Sequence, residues 1–377
     1  MRILLINCIL STAEQGVITR RKSNKDCMIY NFAKGFVANG HMVTICASEE
    51  FKPLEEENNP FEVIYFKSNI PKLFRPDLIP FPKGLRSFVK DNIDKFDVVI
   101  ASEVFQLATL FVADICKDKL VVWQELSLHN RMFFKIPSKL WYNLTPKLTA
   151  LKHALIVPRS ESAKIFIKKY FGLVSDEIVE HGANGQILKP IEKAEKNFTI
   201  VARLVAGKNI DSIIRRFAEF VKIQEYSDFV LNIVGDGVER ANLEELVAEL
   251  SVEGNIKFKG YLSHEQLAEY LSNSYGLLID TSKDLNMVSI PESIVSGTPI
   301  LMNSLPNTAA FVTKKRLGIV ADSWGISELV EMVKNYEEFH HNCIEIRNSI
   351  TNIGCAKKMI DIYVKYNKTN TNESSDC

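Results

Sequence analysis

Short runs of apolar, β-branched residues alternate with stretches of helical spacing along the whole chain, and this rhythm limits the possible folds more than any other feature. In the first half the runs are Arg2–Ile6, His41–Ala47, Phe61–Phe66, Asp97–Ala101, Lys119–Trp123 and His153–Pro158. In the second half they are Asn197–Ala202, Asp228–Val234, Asn255–Lys259, Tyr275–Asp280, Thr298–Asn303 and Leu317–Val320. Strands without a polar face, separated by helices, belong to parallel sheets covered on both sides. In such sheets ligands bind outside the carboxyl ends of the strands, so loops that follow strands are where chemistry is expected.

A chain of 377 residues exceeds one ordinary core, and a prior of about 150 residues per domain predicts two. The fold class expected is α/β, with two Rossmann-like domains. The polar, proline-containing segment Leu188–Asn197 suggests the boundary, giving a first domain over residues 1–190 and a second over 191–366. The last helix is allowed to pack back on the first domain. Residues 367–377 are polar and low in complexity and are expected to be disordered.

Seven cysteines without a CxxC pair predict a reducing compartment rather than a disulfide frame or a zinc site. The opening Met1–Ile6 reads as a buried strand, because Asn7 interrupts it before a signal-peptide core is complete. No run reaches the ~20 apolar residues of a membrane span. The expected location is therefore cytoplasmic, with peripheral contact at the inner face of the cell membrane left open.

The formal net charge of zero hides an asymmetry. Residues 1–190 contain 26 Lys and Arg against 20 Asp and Glu. Within them, residues 131–169 contain nine basic side chains and one acid, Glu161, interleaved with Phe133, Phe134, Trp141 and Tyr142. Such a stretch suits anionic lipid headgroups or a phosphate-bearing acceptor; it also reads as a solvated helix face over core aromatics. A chain that is not basic overall is a poor candidate for nucleic-acid binding.

The densest concentration of candidate site residues lies in the second half. Arg203 and Lys208 flank a turn between a strand and the helix that begins near Asn209. A forked guanidinium, an ammonium and free helix N–H groups together suit a diphosphate, although two exposed loop cations would look the same. Asp284 and Glu292, with seven residues between them, precede and enter a short helix ending at Gly297, and backbone N–H groups near Val288 and Ser289 point to the same edge. Gly235-Asp236-Gly237 lacks the third glycine of a dinucleotide motif and reads mainly as a tight turn. Backbone groups at Tyr261 and Leu262, just before a capping box at Ser263 and Gln266, suit the edge of a base, although a plain strand–helix connection would look the same.

Five signatures in order, Val201–Lys208, Val234–Gly237, Phe258–Gly260, Asp284–Glu292 and Ser296–Pro299, make the second half resemble the nucleotide-sugar domain of retaining GT-B glycosyltransferases, family 4, of the surface-polysaccharide type. Gly40–Val43, Asp97–Ile100, Ala154–Glu161 and Glu180–Asn184 resemble the first domain more loosely. The resemblance implies two Rossmann-like domains facing across a cleft that closes on substrates. It implies that Arg203 and Lys208 hold the donor diphosphate, Glu292 the ribose hydroxyls, and the backbone at Val288 and Ser289 phosphate or sugar oxygens. Asp284 then faces the transferred sugar, in place of the family's glutamate, and Met287 replaces a family glycine. Only Gly16 stands where the family often has a glycine pair. Glu125 and His129 are candidates for the first-domain residue beside the sugar, whereas His181 is expected to shape a turn.

The implied activity is transfer of a hexose or N-acetylhexosamine from a nucleotide-diphosphate sugar, most simply a UDP-sugar, to a glycan or lipid-linked glycan acceptor with retention. The donor is a substrate, so no cofactor is expected. Without an Asp-x-Asp pair or a His/Cys cluster no metal site is expected either. The rival readings are a sugar-nucleotide epimerase of the same fold, which would convert donor without acceptor, and a non-catalytic partner subunit.

Overall fold

The computed structural model describes every residue except Thr12, Glu14, Gln15, Arg131, Lys193, Asp284, Leu285, Asp376 and Cys377. The first sheet consists of β1 (Arg2–Ile6), β2 (Met42–Ser48), β3 (Glu62–Phe66), β4 (Val98–Ser102), β5 (Leu120–Gln124) and β6 (Leu155–Pro158). Its order is β3-β2-β1-β4-β5-β6, parallel throughout. The second consists of β7 (Asn197–Val201), β8 (Val230–Val234), β9 (Ile256–Gly260), β10 (Gly276–Ile279), β11 (Ile300–Met302) and β12 (Gly318–Val320). Its order, β12-β11-β10-β7-β8-β9, is again parallel. All twelve expected strands are present within two residues at each end.

Alternation along each strand explains the double-sided cores. Ile3 and Leu5 of β1 pack with Phe32, Phe36 and Trp123 on one face, while Leu4 and Ile6 pack with Val99, Val112 and Tyr142 on the other. In the second sheet Phe198, Ile200 and Leu278 join Phe217 and Phe220; Leu277 and Ile279 join Ile290 and Ile294. Two Rossmann-like domains of the GT-B type result.

The compact units are Met1–His181 with Asn352–Cys377, and Gly182–Thr351. The division falls before the expected Leu188–Asn197 segment because residues 183–188 are tied into the second unit. Ala183 N–H donates to Ile350 O at 3.0 Å, and the Arg347 guanidinium donates to the carbonyls of Gly185 and Leu188 at 2.6 and 2.8 Å. The long helix Asn352–Ser375 belongs to the first unit and extends over most of the segment expected to lack structure. It lies against the helix Met28–Ala38 so closely that a Cβ on Gly35 would come within 2.2 Å of Asn352 O. Asn352 Nδ2 and Asn39 Nδ2 add bonds to Asn31 O and Ile353 O, each 2.9 Å long.

In each sheet the strand order reverses direction between two central strands: β1 and β4 in the first, β7 and β10 in the second. At such a point adjacent loops leave to opposite faces and open a crevice at the carboxyl edge.

Candidate functional site

The loop after β7 lies at the reversal point of the second sheet and is clasped from both sides. Toward β8, Leu204 N–H donates to Asp236 O at 2.9 Å and Glu239 N–H to Leu204 O at 3.0 Å. A Cβ on Gly235 would sit 1.8 Å from Ala202 O, and one on Gly237 2.3 Å from Leu204 O. Both glycines are therefore required by backbone packing, which accounts for the motif as a tight turn. Toward β10, Gly207 O accepts from Ser282 N–H and from Thr281 Oγ1, both at 3.1 Å.

The loop ends at Asn209, which adopts left-handed φ 44 and ψ 36, a conformation asparagine tolerates better than most residues. Asn209 Nδ2 donates to Asp280 Oδ1 at 3.1 Å, and Arg216 Nη1 to Asp280 Oδ2 at 2.9 Å. The Arg216 guanidinium also rests over the Trp324 ring at 4.6 Å. Asp280 thus fastens the turn carrying Arg203 and Lys208 to the end of β10. A loop held this firmly, with two cations and an adjoining helix amino terminus, is prepared to hold an anion without reorganising.

Two further pieces reach the same sheet edge. Gly235 N–H donates to Gly260 O at 2.8 Å, bringing the end of β9, with exposed Tyr261 and half-buried Leu262, beside the β8 loop. The expected capping box at Ser263 and Gln266 opens the helix His264–Ser272. In the helix Ser289–Val295 every residue is buried, whereas Val288 just before it is 44% exposed. Glu292 is buried, and its Oε1 lies 3.4 Å from His264 Nε2. Arg203, Lys208, Tyr261, Leu262, Val288, Ser289 and Glu292 thus all lie on loops or first turns at one edge. Asp284 lies outside the described residues.

In the first unit, Glu103 follows β4 at the reversal point with a left-handed φ of 66. Its carboxylate accepts from the N–H groups of Glu125 at 2.6 Å and Leu126 at 3.2 Å. Glu125 in turn pairs with Arg159, whose guanidinium stacks on Trp123 at 3.6 Å. Burial, followed by the nearby Glu125 charge, pushes the Glu103 carboxyl up to about 7. His181, edge-on to Trp123 at 6.3 Å, is pushed down to about 4 by burial.

His129 does not join this group. Its Nδ1 lies 3.2 Å from Ser138 Oγ and its Nε2 3.0 Å from Tyr170 Oη, with Tyr142 and Phe166 edge-on to the ring. That is the environment of a packing histidine. Gly16 has φ 80, and a Cβ there would collide with Arg75 Nη2 at 2.4 Å.

Sequence reasoning missed Asp280, His264, Glu103 and Arg159. Asp280 stood at a strand end and His264 inside a capping box, so position alone offered a signal. The Glu103–Arg159 grouping joins three distant loops and had none. Among the described residues, no group of three or more His, Cys, Asp or Glu is close enough to hold a metal ion.

Residues 176–349, nearly the whole second unit, match the family model described as Glycosyl transferases group 1. The second unit is thus similar to the group 1 glycosyl transferases. The chain is similar to an uncharacterized glycosyltransferase of Haemophilus influenzae, 25% identical over 313 residues that span 80% of this chain and 83% of that one. It is also similar to the N-acetyl-alpha-D-glucosaminyl L-malate synthase of Bacillus anthracis, 24% identical over 273 residues, 70% of this chain and 68% of that one. Among solved structures, Anabaena HepE in complex with UDP aligns over 97% of this chain and 100% of its own, with a TM-score of 0.64 and 13% identity. That likeness concerns the fold of this chain.

Proposed function

We propose that this chain is a glycosyl transferase that moves a hexose or N-acetylhexosamine from a UDP-sugar to a glycan or lipid-linked glycan, with retention, in polysaccharide or glycoconjugate biosynthesis. The observation that carries the reading is the clasped loop Arg203–Asn209, fixed by Asp280 at the point where the second sheet reverses. In this reading Arg203 and Lys208 hold the donor diphosphate. Their charges, with the backbone at Val288 and Ser289, offset the negative charge that grows on the leaving diphosphate. No metal or cofactor is needed for that step.

Glu292 accepts from the ribose hydroxyls, Tyr261 and Leu262 border the base, and Asp284 faces the sugar. The UDP of HepE and the N-acetylglucosaminyl group in the name of the Bacillus relative support this choice of base and sugar class. In the first unit, Glu125, held by Arg159 and Glu103, is the better candidate to meet the sugar or acceptor; His129 is the weaker. Gly16 lies on the loop after β1 at the corresponding reversal point. The basic stretch 131–169 supplies peripheral contact with an anionic membrane at the cytoplasmic side. A thermal-shift screen of UDP-, GDP- and ADP-sugars tests the donor assignment. UDP compounds should raise the melting temperature, and a response to GDP or ADP compounds alone would reassign the base.

A further inference from the structure

The helix Ile136–Leu148 of the first unit turns polar residues inward and aliphatic residues outward. Ser138, Tyr142 and Thr145 are buried, and the Trp141 indole donates to Val104 O at 2.9 Å. On the opposite face Ile136, Leu140, Leu144 and Leu148 follow at four-residue spacing and are 56, 55, 47 and 74% exposed. Residues four apart stack along one side of a helix, so these four form a continuous apolar stripe. A surface helix ordinarily shows the reverse arrangement. Phe134, in the turn that leads into it, is 93% exposed.

Charge indicates what covers this face. Lys135, Lys139 and Lys147 are exposed; by helical geometry Lys147 falls within the stripe and Lys139 beside its Ile136 edge, and Lys135 leads into the helix. No acidic residue occurs between Glu125 and Glu161. A protein interface removes charge, above all lysine, from the centre of its apolar patch. A lipid surface accepts both, with apolar side chains at the acyl boundary and lysines extended to the headgroups. Three other members of the basic stretch are engaged elsewhere: Arg159 with Glu125, Lys164 with Glu161 and Lys168 with Asp176. Tyr142 lies in the core. Among the described residues no helix is long and apolar enough to cross a membrane, which suits a helix lying in the membrane plane.

We propose that Phe134 and the stripe Ile136, Leu140, Leu144 and Leu148 insert into the surface of an anionic bilayer, with Lys135, Lys139 and Lys147 at the level of the lipid phosphates. The inference rests on the reading of peripheral membrane contact and narrows it to one helix face. It is independent of donor chemistry.

Vesicle flotation of the full chain tests it, using phosphatidylcholine alone and phosphatidylcholine mixed with phosphatidylglycerol. Wild-type protein should float with the mixed vesicles, and Leu140→Ser/Leu144→Ser should weaken binding at least tenfold. Lys139→Gln/Lys147→Gln should weaken binding and flatten its salt dependence, and the UDP affinity of both variants should remain that of wild type. Equal flotation of the leucine variant, or no flotation of wild type, overturns the proposal. So does a concentration-dependent dimer that the leucine substitutions abolish without any vesicle binding, since a second copy would then cover the face. Loss of UDP binding in wild type with flotation intact would remove the donor reading and leave this one standing.

Discussion

His264 Nε2 lies 3.4 Å from Glu292 Oε1, joining the first turns of two helices that begin at the carboxyl edge of the second sheet. The imidazole fixes where a buried carboxylate points. If that carboxylate bonds the ribose hydroxyls, wild type should prefer UDP to 2′-deoxy-UDP, and Glu292→Gln should reduce the preference. A charged hydrogen bond is worth about 1.5–3 kcal/mol, so UDP itself should bind roughly 10- to 150-fold more weakly to the variant. His264→Ala should give a smaller loss in the same direction. Calorimetric titration of the two nucleotides checks both.

Asp280 is the joint of the site, since it accepts from Asn209 and Arg216 while itself buried. Asp280→Ala strands both donors and should cost about 1–3 kcal/mol of stability. UDP affinity should fall with it, because the turn carrying Arg203 and Lys208 loses its anchor. Denaturant unfolding and nucleotide titration of one preparation measure both effects.

Much of this was legible in the sequence. β5 and β10 are buried along their whole lengths, so apolar runs located them. The loop cations, the Glu292 helix and the Ser263–Gln266 cap follow from local order, because each lies within a few residues of a strand end. The Asp280 and Glu103 contacts were not legible: each depends on strands adjacent in the sheet but distant in sequence. The basic stretch 131–169 was legible only as a choice between a lipid-facing surface and a solvated helix face over core aromatics. Composition flagged cations and aromatics, yet Tyr142 and Arg159 face inward and the outward stripe is Ile136, Leu140, Leu144 and Leu148. The boundary also shifted, because Arg347 recruits residues 185–188 from far along the chain.

Three half-buried groups of the first unit set a pH dependence with two limbs. His181 titrates near 4 when folded against an ordinary 6.5. As pH falls through that window the unfolded chain takes up the proton first, so stability declines. Glu103 titrates near 7 against an ordinary 4.5. As pH rises from 4.5 to 7 the unfolded chain releases its proton first, so stability declines in that direction too. Glu180, also pushed up to about 7 by burial, adds to the second limb. Melting temperatures across this range should show a shallower acid limb in His181→Gln and a shallower rise-side loss in Glu103→Gln.

Asp284 is assigned to the sugar and not to the nucleotide. Asp284→Asn should therefore lower the rate of UDP release from a UDP-sugar at least tenfold while UDP affinity changes less than threefold. Equal losses in both would move the residue to the nucleotide.

The central claim is that the clasped loop after β7 is the diphosphate site. Calorimetric titration of UDP into wild type, Arg203→Ala and Lys208→Ala tests it most directly. The account predicts losses of about 1.5–3 kcal/mol in each variant, with a smaller loss for uridine, which has no phosphate. UDP affinity unchanged in both variants would contradict it.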